Sequence, residues 1–175
     1  MENSDNKKTS LEILENTFAN INNWLNFAEA KNAALIAFNI AVIAAVLSSE
    51  DILNKNIIFY MVNCILILSS ILAMISFKPD MGNDRKVMQV NNDSDNLLLF
   101  SHIAKYTKEK YLIEMYQKYL NVRKCEEDLT KIELDYADEI TYNAKITVNK
   151  YKWFKRALYV DFVGICGVAI LVISA

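Results

Sequence analysis

Three uncharged apolar runs stand out in the pattern of hydrophobic and polar positions along the chain. Residues 32–49 form the first, with 18 residues and no charge, about 27 Å long as a helix. Residues 56–77 form the second, with 22 residues, about 33 Å long as a helix. The third follows Arg156, reaches Ala175 and contains one charge, Asp161. Because the hydrocarbon core of a bilayer is about 30 Å thick, the pattern predicts an all-α membrane protein with three transmembrane helices.

Two of these helices are predicted to extend far into the polar parts of the chain. Before residues 48–49 nothing breaks the first helix, and its apolar positions recur at steps of three and four, as in a coiled-coil seam. The seam comprises Leu11, Leu14, Phe18, Ile21, Leu25, Ala28, Asn32, Leu35, Asn39 and Val42. Thr9 is expected to cap this helix, with Glu12 completing a capping box. The final helix is expected from about Arg123, because no glycine or proline follows before Gly164.

The segment between the second and third runs contains the chain's one proline and is expected to be mostly helical. Residues 86–90 and 97–100 flank a turn-rich stretch, which is compatible with one short β-hairpin. A helix from about Asn96 is the competing interpretation, and the sequence does not separate the two. Thr107 is expected to cap a short helix that continues to Leu120.

The distribution of lysine and arginine predicts the orientation in the membrane. Residues 50–55, between the first two runs, carry two acids and one base. The basic residues on the opposite side are Lys31, Lys78, Arg85, Lys86, Lys145, Lys150, Lys152, Lys155 and Arg156. Since basic loops stay in the cytoplasm, the N-terminus is expected inside and the C-terminus outside. The basic residues expected to anchor the last helix against lipid headgroups are Lys150, Lys152, Lys155 and Arg156.

This pattern divides the chain into four predicted parts. They are a cytosolic N-terminal helix at 1–31, a transmembrane hairpin at 32–77, a cytosolic helical region at 78–156 and a third transmembrane helix at 157–175.

A stripe of small residues runs along the first membrane helix. Ala33, Ala37, Ala41 and Ala45 recur at four-residue steps, and small residues let helices approach closely. Packing within the hairpin and packing against a second copy of the chain are both compatible with the stripe.

Polar residues also lie within the membrane runs. Asn39 and Asn63 are at membrane depth and Asn32 is at its edge, so their amides need partners. Asparagines on a helix seam favour a homo-oligomer built on the first helix. Asp161 is costly against lipid. It is expected to be hydrated near the interface, one turn beyond Arg156, or to border a polar path through an assembly.

Few residues offer catalytic or metal-binding chemistry. The single His102 and the scattered Cys64, Cys125 and Cys166 do not match common zinc spacings. The sequence has no phosphate-binding glycine loop, no nucleophile elbow and no HExxH motif. We therefore expect no enzyme, no metal site and no bound cofactor. The net charge of −2 gives no indication of nucleic-acid binding.

Four features occur in order along the chain. Residues 27–35 read FAEAKNAAL, Pro79 follows the second run, residues 96–104 read NLLLFSHIA, and residues 140–158 end in KYKWFKRAL. These features resemble the Pycsar effector-domain family over about residues 20–165. Its corresponding features are an alanine–acid–x–lysine–alanine opening, a proline after the hairpin, an NLLFFGHIA segment and a K-(Y/F)-x-x-(L/F)-(K/R)-R-A-L entry. The departures are Glu29 for Asp, Asn32 for Ala, and Leu99 and Ser101 within the third segment.

The resemblance implies a bacterial anti-phage effector of the inner membrane. Such effectors respond to a cyclic mononucleotide from a partner cyclase, disrupt the membrane and cause growth arrest or abortive infection. A ligand with one phosphate needs a base and hydrogen-bond donors. The candidates are Ser101, His102 and Lys105, with Arg85 and Arg123 as alternatives; His102 is equally well explained by packing. The competing function is a constitutive small oligomeric channel or a scaffold without a nucleotide ligand.

Overall fold

The computed structural model of the chain describes residues 2–49, 57–78, 92 and 94–174. The helices in those ranges are α1 (Glu2–Ser48), α2 (Ile57–Ile75), α3 (Phe100–Ile103), α4 (Lys108–Leu120) and α5 (Lys131–Ser174), and a 3-10 turn at Glu126–Asp128 precedes α5. The described residues contain no strand. One half of the suggested hairpin, 97–100, forms a turn that leads into α3, and the other half, 86–90, lies outside the described residues. The predicted all-α fold class is confirmed.

Three helices are long and apolar enough to cross a membrane. The segments that qualify are Lys8–Ser48, Ile57–Ile75 and Lys131–Ile173. The first and third continue well beyond a bilayer thickness, because each has more than 40 residues at a rise of about 1.5 Å per residue. The prediction of three spans, two of them extended, is therefore confirmed.

The chain forms two compact units that share α1 and α5. The polar unit comprises Met1–Asn26 and Asp80–Val148, and the apolar unit comprises Phe27–Pro79 and Asn149–Ala175. Both long helices continue from one unit into the other without interruption.

The core of the polar unit lies between α1, α4 and the first part of α5. The largest buried apolar side chains there are Leu14, Ile21, Leu97, Ile103, Tyr106, Tyr111, Leu112, Met115, Tyr116 and Ile140. Thr107 caps α4 as predicted, since its side chain accepts from the N–H of Lys110. The helix ends at Leu120 because Asn121 adopts a left-handed conformation with φ of 53°.

Two predicted helix starts are wrong. α1 begins at Glu2, so Thr9 lies inside the helix and is not its N-terminal cap; residues 2–8 contain no glycine or proline to prevent the extra turns. α5 begins at Lys131 instead of near Arg123. There Thr130 and Glu133 form a capping pair, in which the Thr130 N–H donates to Glu133 Oε2 at 2.9 Å.

The apolar unit packs α2 against the second half of α1 and the second half of α5. Leu35, Ala73 and Ala157 form one small buried cluster, and Val62, Leu66 and Leu171 form another. Glycine permits the close approach of α5 to α2. A Cβ added at Gly167 would lie 2.5 Å from Val62 Cγ2, and one at Gly164 would lie 2.7 Å from Leu66 Cδ2.

The seam predicted along α1 is buried inside the single chain. Leu14, Ile21, Ala28, Leu35 and Asn39 all lie on it and are all buried. The four stripe alanines, Ala33, Ala37, Ala41 and Ala45, are exposed. The stripe therefore does not pack within the hairpin, because the heptad seam, and not the alanine face, meets the other helices of the chain.

Candidate functional site

Three of the proposed ligand-binding residues, Ser101, His102 and Lys105, lie in one tight turn around α3. The backbone N–H of Asn96 donates to His102 Nδ1 at 2.9 Å, and the Lys105 ammonium donates to Asp95 Oδ1 at 2.6 Å. His102 and Lys105 therefore organise this turn, and Ser101 is half-buried within it. A phosphate binding here would have to compete with Asp95 for Lys105.

Asp95 is ionised in this turn. Burial alone raises the pKa of Asp95, but the backbone N–H of Asn92 and the Lys105 ammonium stabilise the carboxylate and hold its pKa below the ordinary value. The Tyr106 hydroxyl also donates to Asp95 Oδ2 at 3.4 Å. The sequence analysis did not identify Asp95, although its position directly before the family-like segment 96–104 could have indicated it.

The two remaining candidates are Arg123 and Arg85. Arg123 is exposed in the connection between α4 and α5, outside the turn around α3. Arg85 lies outside the described residues.

A cleft of ≈ 150 Å³ lies in the polar unit, between the start of α4 and the middle of α5. Its lining residues are Thr107, Lys108, Glu109, Asp138, Thr141, Tyr142 and Lys145. It combines two lysines, two carboxylates, an aromatic ring and the N-terminal end of a helix, where backbone N–H groups attract anions. Lys108 lies 3.9 Å from Asp138 across the cleft. Sequence reasoning missed this cleft, because only the cap at Thr107 was visible in the pattern.

A buried polar network joins α1, α4 and α5 in the polar unit. Glu133 is 0 % exposed, and its carboxylate accepts hydrogen bonds from Tyr116, Ser10 and Thr130. Lys124 Nζ lies 3.7 Å from Glu133 Oε1. Burial alone raises the pKa of Glu133, but these donors outweigh it and hold the pKa below the ordinary value. Burial, and then the bond to Glu133, raises the pKa of Tyr116.

Lys150 is buried, although the sequence predicted that it anchors the helix at lipid headgroups. Its ammonium donates to the Ser76 carbonyl at 2.7 Å and lies 3.1 Å from Glu29 Oε1. The prediction for Lys150 is wrong because this position faces α1 and α2, where the ammonium caps the end of α2. The pair also joins the two family-like segments 27–35 and 140–158.

The asparagines in the apolar unit find partners within the chain. Asn32 donates to the Ala28 carbonyl and to Ser76 Oγ, at 2.8 and 3.0 Å. Asn63 donates to the Phe59 carbonyl of its own helix at 2.8 Å. None of these bonds needs a second copy of the chain, but the buried Oδ1 atoms of Asn32 and Asn63 receive no hydrogen bond from the described residues.

Asn39 forms a cluster with two serines of α2 and with Asp161 of α5. Its amide nitrogen lies 3.1 Å from Ser69 Oγ and 3.2 Å from Ser70 Oγ, and Asn39 and Ser69 are the side chains that face the Asp161 carboxyl. Asp161 is only 6 % exposed. It therefore faces the inside of the apolar unit instead of the hydrated interface that the sequence favoured.

Comparison with known proteins supports the resemblance found in the sequence. Residues 13–175 match a family described as Pycsar effector protein domain. No curated protein and no solved structure matches the chain. The match covers nearly the whole chain and includes all but the first residues of the three helical segments that are long and apolar enough to cross a membrane. The chain therefore belongs to the Pycsar effector protein domain family, whose members are transmembrane effectors of anti-phage defence.

Proposed function

We propose that this effector binds a cyclic mononucleotide in its polar unit and responds by disrupting the bacterial inner membrane, which arrests growth. The observation that carries the proposal is the continuity of α1 and α5 from the polar unit into the apolar unit. A rigid helix transmits a rotation along its length, whereas a flexible linker would absorb it. Two such helices give a bound ligand a direct route to the membrane segments.

The ligand must bind the disrupting arrangement more tightly than the resting one. A shift of that arrangement from about 1 % to about 99 % of the population needs ~5.5 kcal/mol of differential affinity. Equivalent sites in a homo-oligomer would divide this free energy among them. The partners of the effector are therefore the lipid bilayer, a cyclic nucleotide from a partner cyclase, and other copies of the chain.

The cleft is the better of the two candidate ligand positions. A cyclic mononucleotide has one negative phosphate and one flat base. The N-terminal end of α4 with Lys108 and Lys145 suits the phosphate, and Tyr142 suits the base. In the α3 turn, Lys105 lies 2.6 Å from Asp95, a closer ion pair than the 3.9 Å between Lys108 and Asp138 in the cleft.

A ligand screen tests the function and the site together. We expect a cyclic pyrimidine mononucleotide to raise the thermal midpoint of the purified full-length protein, because a ligand that binds only the folded state stabilises it by mass action. Lys145→Ala should raise the ligand concentration that is needed for the same shift at least tenfold. The matched control is Lys131→Ala, which removes an exposed lysine of the same helix. Loss of the shift in Lys105→Ala but not in Lys145→Ala would move the site to the α3 turn. No shift with any cyclic nucleotide would favour a channel or scaffold without a nucleotide ligand.

Reporter fusions test the orientation. An alkaline phosphatase fused after Ala175 is expected to be active, because the Lys/Arg asymmetry places the C-terminus outside the cytoplasm. The same reporter inserted after Lys124, in the polar unit, is expected to be inactive. A C-terminal reporter that works only in the cytosol would contradict this topology.

The exposed alanine stripe predicts the face used for self-association. Replacing Ala37 and Ala41 together by leucine is expected to dissociate the oligomer, because larger side chains keep helices apart. Ala169→Leu, at an exposed alanine of α5, is the control and should leave assembly unchanged. The measurement is the mass of the detergent-solubilised protein by light scattering. A wild-type protein that is monomeric with and without ligand would refute the idea.

A further inference from the structure

The cluster around Asn39 in the apolar unit has more oxygen acceptors than hydrogens. The Asn39 amide supplies two hydrogens, and Ser69 and Ser70 supply one each. Ser69 donates to the Ala157 carbonyl at 3.1 Å, and Ser70 donates to the Leu66 carbonyl at 3.0 Å. The Asn39 amide nitrogen is directed at the two serine oxygens and at the Leu66 carbonyl. The two groups placed to donate to Asp161, the Asn39 amide and the Ser69 hydroxyl, are thus both engaged by other acceptors.

Two buried oxygen atoms of the cluster consequently lack a donor. Asp161 Oδ1 and Asn39 Oδ1 are both inaccessible and receive no hydrogen bond from the described residues. Buried acceptors are normally satisfied, because an unpaired polar atom in an apolar environment is costly. Two of them in one cluster indicate that a hydrogen, or a cation, belongs there.

No positive charge compensates the Asp161 carboxyl among the described residues. The groups that face it from α1 and α2 are Asn39 and Ser69, which are both neutral, and no titratable side chain acts on it. On its own helix Arg156 lies five residues earlier and stacks on Trp153 at 4.7 Å. An ionised carboxylate whose neighbours are only a neutral amide and a neutral hydroxyl, with no cation, is very unfavourable inside a membrane.

We propose that Asn39, Ser69 and Asp161 form a proton-binding site inside the membrane unit, in which Asp161 is held as the neutral acid. The proton removes the charge and adds the one hydrogen that the cluster lacks, which Asp161 donates to an oxygen of Asn39 or Ser69. Turning the Asn39 amide by 180° would let its nitrogen donate to Asp161, but it would still leave the cluster without a compensating charge.

The site makes any opening of the apolar unit depend on protons. If a rearrangement brings water to Asp161, the carboxyl releases its proton and leaves a negative charge on the newly wetted surface. The dry arrangement is thereby favoured at low pH and the wetted one at high pH. This inference needs no nucleotide ligand and stands independently of the proposed function.

Infrared difference spectroscopy of the full-length protein in lipid nanodiscs tests the protonation state directly. The spectrum of Asp161→Asn is subtracted from that of the wild type near neutral pH, with the aspartate carboxyls isotopically labelled. We expect the wild type to show the carbonyl stretch of a protonated acid, and Asn39→Leu to shift that band. The control is Asp135→Asn, which removes an exposed, paired carboxylate and should change only the carboxylate stretch.

Either of two results would overturn the proposal. One is that Asp161→Asn removes a carboxylate stretch and no acid band. The other is that this carboxylate band depends on sodium in the buffer, which would make the cluster a metal-cation site.

A second measurement covers the case in which the infrared bands overlap. Relative to Asp161→Asn, the folding equilibrium constant of the wild type should fall about tenfold for each pH unit above the pH at which Asp161 of the unfolded chain loses its proton. Parallel pH profiles of the two proteins would also overturn the proposal.

Discussion

Replacing Glu133 by alanine is expected to lower the free energy of unfolding of the polar unit by about 3 kcal/mol, as for other buried charged groups whose partners are left behind. The carboxylate is fully buried and holds together Ser10 of α1, Tyr116 of α4 and Thr130 at the start of α5. Its removal leaves these donors without an acceptor and leaves Lys124 without its buried partner. Denaturation followed by circular dichroism in detergent measures the loss.

Two further variants separate the charge from the rest of the side chain. Glu133→Gln keeps one oxygen acceptor and should cost less than Glu133→Ala. Glu139→Ala removes an exposed glutamate of the same helix and should change the stability by less than about 0.5 kcal/mol. Equal losses for Glu133→Ala and Glu139→Ala would mean that the network does not stabilise the fold.

The same carboxylate predicts a pH dependence. Because the pKa of Glu133 is lower in the folded chain than in the unfolded chain, the unfolded chain takes up the proton first as the pH falls. The stabilisation is complete above the ordinary carboxyl pKa, and it is lost as the pH falls through the lower folded-state pKa. The stability difference between wild type and Glu133→Gln should therefore shrink on acidification.

Inserting Gly-Gly-Ser-Gly after Asn149 is expected to abolish ligand-induced depolarisation while leaving ligand binding intact. The insertion lies at the division between the polar and apolar units on α5. Four flexible residues interrupt the helix, so a rotation in the polar unit no longer reaches the membrane segment. A membrane-potential dye in expressing cells measures depolarisation, and the thermal shift measures binding.

The control places the same four residues after Ser49, directly beyond the end of α1 at Ser48. This variant has the same added length but leaves both long helices intact, so it should respond like the wild type. Depolarisation that survives the insertion after Asn149 would show that a rigid α5 does not couple the two units.

Some features that depend on neighbouring residues could be predicted, and others could not. The cap at Thr107 and the end of α4 at Leu120 follow from local backbone hydrogen bonding, and the structure has both. The start of α5 was mispredicted although Thr130 and Glu133 have the spacing of a capping box. The absence of glycine and proline does not determine where a helix starts, because a helix also needs partners for its first backbone N–H groups.

The partners of the polar groups could not be predicted. Lys150 belongs to a group of basic residues expected at the lipid headgroups, yet it lies against Glu29 and the end of α2. Asn39 has the spacing of an oligomer contact, yet it faces Ser69 and Ser70 of the same chain. A repeat of three and four residues identifies a buried face, but it does not distinguish a neighbouring helix of the same chain from one of another copy.

The sequence by itself determined that this protein is helical and has three membrane spans, because the length and polarity of a run limit where it is stable. The family also followed from motif order. Only the tertiary structure decided which polar groups meet. Ser10 and Glu133 are 123 positions apart and form a hydrogen bond, and Asn39 and Asp161 share one cluster although they belong to different helices. Hydrogen bonds act over about 3 Å, and such distances between remote segments are fixed by how whole helices pack and not by local sequence.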